Sequence, residues 1–257
     1  MNLNAGQKYG NVAVENSFRP RKPWPFPSDA MIDVEKLTKK ALAALLDSTY
    51  LKAFGGPEII ENRCREAAEF GFASVAVNGC EVARCAAMLK GTGVKVTAVA
   101  GFPLGQMTTE AKLFEVRDVI AKGAGEVDIV QNVRRLQAGD TAYVLAELAE
   151  FAKICRGEGV TSKVIFENCY LTREEKLLSC KIACEAGVDF VKTSTGFGTG
   201  GATLEDVQLM RAAIGPEMGL KAAGGIRTCV DALAMLRAGA TRLGTSAGRA
   251  IVEGFEG

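Results

Sequence analysis

From residue 31 onward, short apolar runs alternate eight times with longer amphipathic stretches, and this rhythm restricts the architectures open to the chain. The runs are Ala43–Leu46, Ala73–Val77, Lys95–Val99, Glu126–Val130, Lys163–Phe166, Phe190–Thr193, Gly219–Lys221 and Arg242–Gly244. Between them Pro57–Phe70, Glu81–Leu89, Thr108–Lys122, Thr141–Arg156, Thr172–Ala186, Thr203–Ile214 and Thr228–Ala238 read as helices, and a short one is expected over Ala247–Glu253. Several open on a threonine suited to the N-cap, and Thr172-Arg173-Glu174-Glu175 has the spacing of a capping box. Gly71, Gly123, Gly187 and Gly239 follow helices, where a left-handed residue turns the chain toward the next strand. Strands that alternate with helices imply a parallel sheet covered by helices. Eight such units predict a closed (β/α)8 barrel of the TIM type, with its site at the C-terminal ends of the strands; an open doubly wound sheet is the rival.

At 257 residues and 48% hydrophobic content the chain suffices for one barrel domain, assigned to residues 31–257. Residues 1–30 form a Pro-rich N-terminal extension. Its segment Arg19-Pro20-Arg21-Lys22-Pro23-Trp24-Pro25-Phe26-Pro27 holds four of the seven prolines and favours extended, polyproline-like chain. Trp24 and Phe26 would be available to dock on the domain or on a second subunit. The formal net charge is +1, with no long block of either sign, which argues against nucleic acid or an anionic membrane as partner. No apolar stretch approaches the ~20 residues of a membrane span.

The chain has no histidine, which excludes His-ligated zinc, Ser-His-Asp triads and Cys-His pairs built from its own residues. Proton transfer falls to Lys, Asp, Glu, Tyr, Cys or water, which disfavours a metal-dependent aldolase and leaves a Schiff-base route open. Eight scattered cysteines (Cys64, Cys80, Cys85, Cys155, Cys169, Cys180, Cys184, Cys229) form no Cys-x-x-Cys pair. With no signal segment recognised, buried, reduced thiols in a cytoplasmic protein are expected.

Two lysines sit in nearly the same local setting, Val191-Lys192-Thr193-Ser194-Thr195-Gly196 and Leu220-Lys221-Ala222-Ala223-Gly224-Gly225. Each ends an apolar run and precedes glycine, so both amines would enter one cleft from neighbouring strands. A like charge nearby disfavours protonation, which would leave one amine a neutral nucleophile. Asp128 lies inside the apolar run Val127-Asp128-Ile129-Val130, where an unpaired carboxylate is costly. Lys192 in the same barrel layer could pair with it; so could a buried Lys163 on the fifth strand. Asp47, Asn78, Gly101–Gly105, Glu167, Asn168 and Ser246 also fall at strand ends. Gly196, Gly224, Gly225 and Gly244, leading into Ser246, follow the last three strands and read as a phosphate cradle, with Arg227 as a nearby cation.

These segments, together with Gly125-Glu126-Val127-Asp128, Lys163-Val164-Ile165-Phe166-Glu167, Leu46-Asp47-Ser48-Thr49-Tyr50-Leu51, Gly101-Phe102-Pro103-Leu104-Gly105 and Gly224-Gly225-Ile226-Arg227, resemble the deoxyribose-phosphate aldolase family from about residue 40 to 250. The resemblance implies a Schiff base on Lys192, a nucleophile pKa lowered by Lys221, proton shuttling by Asp128 with water, and a supporting Asp47. It also implies phosphate contacts from Gly196, Gly224, Gly225 and Ser246, with Thr49, Thr195, Arg227 and Gly244 as further substrate-binding candidates. The implied reaction is reversible cleavage of 2-deoxy-D-ribose 5-phosphate to acetaldehyde and D-glyceraldehyde 3-phosphate, without metal or organic cofactor, in a homodimer or homotetramer. Another Schiff-base sugar-phosphate aldolase and a catalytically silent phosphate-binding barrel are the alternatives. Phe197 stands where some members place a lysine near the phosphate, and the end Gly254-Phe255-Glu256-Gly257 lacks the terminal tyrosine that assists proton transfer in some members.

Overall fold

The computed structural model describes residues 32–256, so the Pro-rich extension over 1–30, with Trp24 and Phe26, lies outside the described residues. In chain order the elements are α1 (Lys39–Ala43), β1 (Leu46–Tyr50), α2 (Pro57–Phe70), β2 (Ser74–Val77), α3 (Val82–Met88), β3 (Lys95–Ala100), α4 (Thr109–Ala121) and β4 (Glu126–Val130). They continue with α5 (Val133–Gln137), α6 (Thr141–Gly157), β5 (Thr161–Ile165), α7 (Arg173–Ala186), β6 (Phe190–Lys192), α8 (Leu204–Ile214), β7 (Gly219–Ala223), α9 (Cys229–Arg237), β8 (Arg242–Thr245) and α10 (Gly248–Glu253). All eight strands pair in parallel with their sequence neighbours, and β8 returns to β1 with Leu46 opposite Leu243 and Asp47 opposite Gly244. That last pairing makes the sheet a closed barrel and excludes the open doubly wound alternative.

Local chemistry sets the helix ends. The side chains of Thr38, Thr108, Thr172, Thr203 and Thr228 each accept the backbone N–H three residues on, a contact that stabilises a helix by about 1 kcal/mol. The capping box at Thr172 and Glu175 is formed, and a second joins Thr228 to Asp231. Gly71 and Gly187 end α2 and α7 in the left-handed region, at φ 71° and 75°.

The first strand departs from the sequence expectation. Ala43, placed at its start by apolar character, ends α1 instead, and the strand begins at Leu46 and runs through Asp47 to Tyr50. Alanine and leucine following an N-cap threonine favour helix. The real strand is polar because its inner face looks into a polar barrel. Asp47 therefore lies within β1 rather than after it.

Two separate interiors result from strand alternation. Between sheet and helices lies the apolar core, with Val75, Val96, Ile129, Val164, Val191, Leu220 and Leu243 from the strands. Inside the barrel, Asp47, Ser74, Thr97, Glu126, Asp128, Lys163, Lys192 and Lys221 are all buried. Phe190 is buried there too, with Lys163 Nζ at 6.0 Å and the Arg242 guanidinium at 5.5 Å from its ring centre. Gly219 on the next strand makes room for that ring, since a Cβ there would lie 2.3 Å from it.

Candidate active site

Lys192 ends β6 and stands directly opposite Lys221 of β7 in the ladder, so the sheet register alone brings the two matched lysines side by side. Thr193 laces the strand ends together, its N–H donating to Lys221 O at 3.1 Å and its hydroxyl donating to Ala223 O at 3.1 Å. Both ammonium groups reach the same acceptor: Lys192 Nζ and Lys221 Nζ each lie 2.9 Å from Asp128 Oδ2. Lys221 Nζ also lies 2.5 Å from Asp47 Oδ2. The four residues assigned to catalysis from the sequence thus form one cluster, and Lys192 is only 3% exposed.

Below this cluster, Lys163 Nζ bridges Glu126 Oε2 at 2.5 Å and Asp128 Oδ1 at 2.8 Å. Both partners weighed for Asp128 are therefore present, one on each oxygen. Arg242 Nη1 joins Asp47 Oδ1 at 2.7 Å to Glu126 Oε2 at 3.2 Å. The Ser74 hydroxyl donates to Asp47 Oδ1 at 2.8 Å, and Thr97 Oγ1 lies 3.2 Å from Glu126 Oε2. Every buried charge inside the barrel thereby has a partner, as burial requires.

This arrangement sorts protons. Burial pushes the Lys192 amine down most strongly, Asp128 resists, and the charges of Lys221 and Lys163 add to the fall, leaving its pKa lowered to about 8. Burial acts on Lys163 in the same sense, yet Asp128, Glu126 and Asp47 around it outweigh burial and raise it. Burial would raise Asp128, but Lys163, then Lys192 and Lys221, hold its carboxyl well below the ordinary range. Asp47 is likewise lowered, with Lys221 and Arg242 overcoming burial.

The phosphate candidates lie mostly in the loops at the C-terminal ends of the strands. Gly196, Gly224 and Gly225 take φ of 86°, 89° and 86°, which glycine allows without strain. Gly196, Gly225, Ser246 and Arg227 are exposed there. Gly244 is inside β8 instead, and its bare Cα gives space to Lys221, whose Cε would lie 3.1 Å from an added Cβ. Thr49 is half-buried in β1 and donates its hydroxyl to Asp47 O at 2.9 Å. Thr195 is buried and turns its hydroxyl onto Glu167. Phe197 packs edge-on against Phe102 with ring centres 5.3 Å apart. A cleft of about 410 Å³ opens between Leu104, Val130, Arg134, Glu167 and Tyr170, and neither Lys192 nor Lys221 lines it.

The sequence pattern of the DeoC/LacD family aldolases matches residues 27–254. The chain belongs to this family. It is 55% identical to a deoxyribose-phosphate aldolase of Bacteroides thetaiotaomicron over 87% of this chain and 94% of that one. A deoxyribose-phosphate aldolase of Thermococcus gammatolerans is 53% identical over 83% of this chain and 96% of its own length. Among solved structures, a tetrameric deoxyribose phosphate aldolase of Aeropyrum pernix superposes with a TM-score of 0.80 at 33% identity, covering 86% of this chain and 93% of that one. This DeoC/LacD family member is an aldolase, and a lysine Schiff base is the general mechanism of the family.

Three charged residues of the aldolase's interior were not singled out from the sequence as site residues: Glu126, Lys163 and Arg242. Glu126 and Asp128 alternate along one strand, a spacing that puts both on its inner face. That pattern was the available signal. Arg242 gave none, because a charged residue opening a strand also reads as solvated surface.

Proposed function

We propose that this aldolase reversibly cleaves 2-deoxy-D-ribose 5-phosphate to acetaldehyde and D-glyceraldehyde 3-phosphate, with Lys192 as the Schiff-base lysine. The observation that carries the assignment is the buried Lys192 amine, 2.9 Å from Asp128 and lowered to about 8 beside a second lysine. At neutral pH an appreciable fraction of that amine is uncharged and nucleophilic.

In cleavage the lone pair of Lys192 Nζ attacks C1 of the open-chain sugar, and loss of water from the adduct gives an iminium. The C3 hydroxyl gives its proton through water to Asp128 as the C2–C3 bond breaks. The bonding pair moves into the iminium to form an enamine, and C3 becomes the aldehyde of the three-carbon product. Reprotonation at C2 and hydrolysis then release acetaldehyde and free Lys192. Lys221 stands opposite Lys192 in the ladder and pairs with Asp47. No step calls for a metal or organic cofactor.

The loops bearing Gly196, Gly224, Gly225 and Ser246 would receive the phosphate through backbone N–H groups, with Arg227 adding charge. The tetrameric relative supports a homo-oligomer. Among the described residues no helix is long and apolar enough to cross a membrane. Borohydride reduction in the presence of acetaldehyde, followed by peptide mass mapping, tests the reading. A two-carbon adduct on Lys192 is expected; label on another lysine with Lys192 unmodified would overturn it.

A further inference from the structure

Glu167 is the single non-glycine residue among the described residues with a positive φ, at 58° with ψ 63°. A residue with a Cβ enters this left-handed region at a steric cost, which persists only where the surroundings hold it there. Here they do. Phe166 N–H donates to Lys192 O and Asn168 N–H to Thr193 O, both at 3.0 Å, so the link to β6 continues on either side of Glu167. The backbone twist at Glu167 lies between two fixed points.

Its carboxylate is buried, at 3% exposure, and is met by neutral donors from the segment just after Lys192. Thr195 N–H donates to Oε1 at 3.2 Å, and the Thr195 hydroxyl donates to Oε2 in a short contact. The same hydroxyl accepts Phe197 N–H at 3.0 Å. Two amides of the turn are therefore tied, directly or through Thr195, to one anion. Between them lies the amide of Gly196. Gly198 closes the turn against the same group, since a Cβ there would lie 3.0 Å from Glu167 Cδ and 2.6 Å from Cys169 Sγ.

We propose that Glu167 is a positioning residue for phosphate recognition. By gripping Thr195 it holds the 195–198 turn so that the intervening Gly196 N–H is presented to the substrate's phosphate; this rests on the assignment of Gly196 to the phosphate site. Thr195 gives one hydrogen bond to each oxygen of this buried carboxyl group, and Cys169 Sγ lies 3.8 Å from Oε1. Thr195 couples the turn to Glu167 through its own N–H and hydroxyl.

Glu167→Gln keeps the size of the side chain and replaces one acceptor oxygen by NH₂, so one Thr195 donor loses its partner. Three readings are compared with wild type: KM and kcat for 2-deoxyribose 5-phosphate, the inhibition constant of inorganic phosphate, and the rate of borohydride trapping with acetaldehyde, which carries no phosphate. The expected result is a rise of about tenfold in KM and in the phosphate inhibition constant, with kcat and trapping rate within about threefold of wild type. Glu167→Asp keeps the charge but draws the carboxylate back from Thr195 by one methylene, and should reproduce the phosphate-selective loss. Equal losses in phosphate binding and trapping, or no loss at all, would overturn the proposal. If Glu167→Gln fails to fold, Glu167→Asp decides alone on the same two outcomes. Failure of wild type to trap acetaldehyde on Lys192 would instead strike the proposed function, so the two failures are told apart by the unmodified enzyme.

Discussion

The lower and upper halves of the barrel interior are built from the same residue types and handle protons oppositely. In the lower half Lys163 lies between two carboxylates, Glu126 at 2.5 Å and Asp128 at 2.8 Å, with Arg242 closing the belt. In the upper half Lys192 and Lys221 share one oxygen of Asp128. Lys163 and Lys192 stand on adjacent strands and both are buried, yet one is raised above its ordinary value and the other is lowered to about 8. Burial alone does not make a lysine nucleophilic. The groups each amine touches decide: Lys163 meets two carboxylates, whereas Lys192 meets one and shares its oxygen with Lys221.

The comparison can be broken most severely at Lys192. Lys192→Ala removes the amine that attacks the carbonyl, and cleavage should fall by at least about 10³-fold, because an amine held in place supplies both the nucleophile and the electron sink. Inhibition by inorganic phosphate should persist in this variant. Retention of more than a few per cent of wild-type turnover would show that another lysine carries the reaction.

Lys163→Met attacks the lower half. It leaves Glu126 and Asp128 with fewer partners in a dry interior and should cost about 3–5 kcal/mol in urea unfolding, the usual result of removing one member of a buried ion pair. A loss below about 1 kcal/mol would mean that the belt is wet or redundant. Adding Glu126→Gln to this variant removes one of the stranded charges and should recover part of the loss.

The gentlest change sharpens the upper half. Activity requires neutral Lys192, so the rate should fall as pH drops below about 8. Lys221→Leu removes a cation that disfavours the protonated amine, so the pKa of Lys192 should rise and the acidic limb of the pH–rate profile should move toward alkali by about one unit. An unmoved limb would remove Lys221 from this role.

Much of this organisation was legible in the chain. The eightfold alternation gave the barrel, and the paired contexts of Lys192 and Lys221 gave their adjacency, because parallel strands in register place equivalent residues side by side. Helix bounds came close because threonine caps and glycine stops act locally; α2, for example, spans Pro57–Phe70 as expected. The misplaced first strand shows where such reading weakens. Hydrophobicity finds strands that pack against helices, whereas β1 owes its position to an inner face that binds charge. Arg242 and the hold of Glu167 on Thr195 were hidden for a related reason, since one depends on β8 meeting β4 inside the barrel and the other on side chains in two separate turns meeting. Only four of the cysteines, Cys64, Cys85, Cys155 and Cys180, are fully buried, and Cys80 is exposed, so scattered thiols were an uneven guide to the core.

Phe190, seated among Lys163 and Arg242 two residues before Lys192 on β6, fills the barrel interior beneath the reactive amine. In the proposed reaction the two-carbon fragment is tethered deep and the phosphate-bearing fragment sits toward the opening. The larger product must then depart first, and in the reverse direction acetaldehyde must be loaded before the aldehyde phosphate. A filled interior thus becomes a queue, with the order of chemical events written into the depth at which each fragment rests.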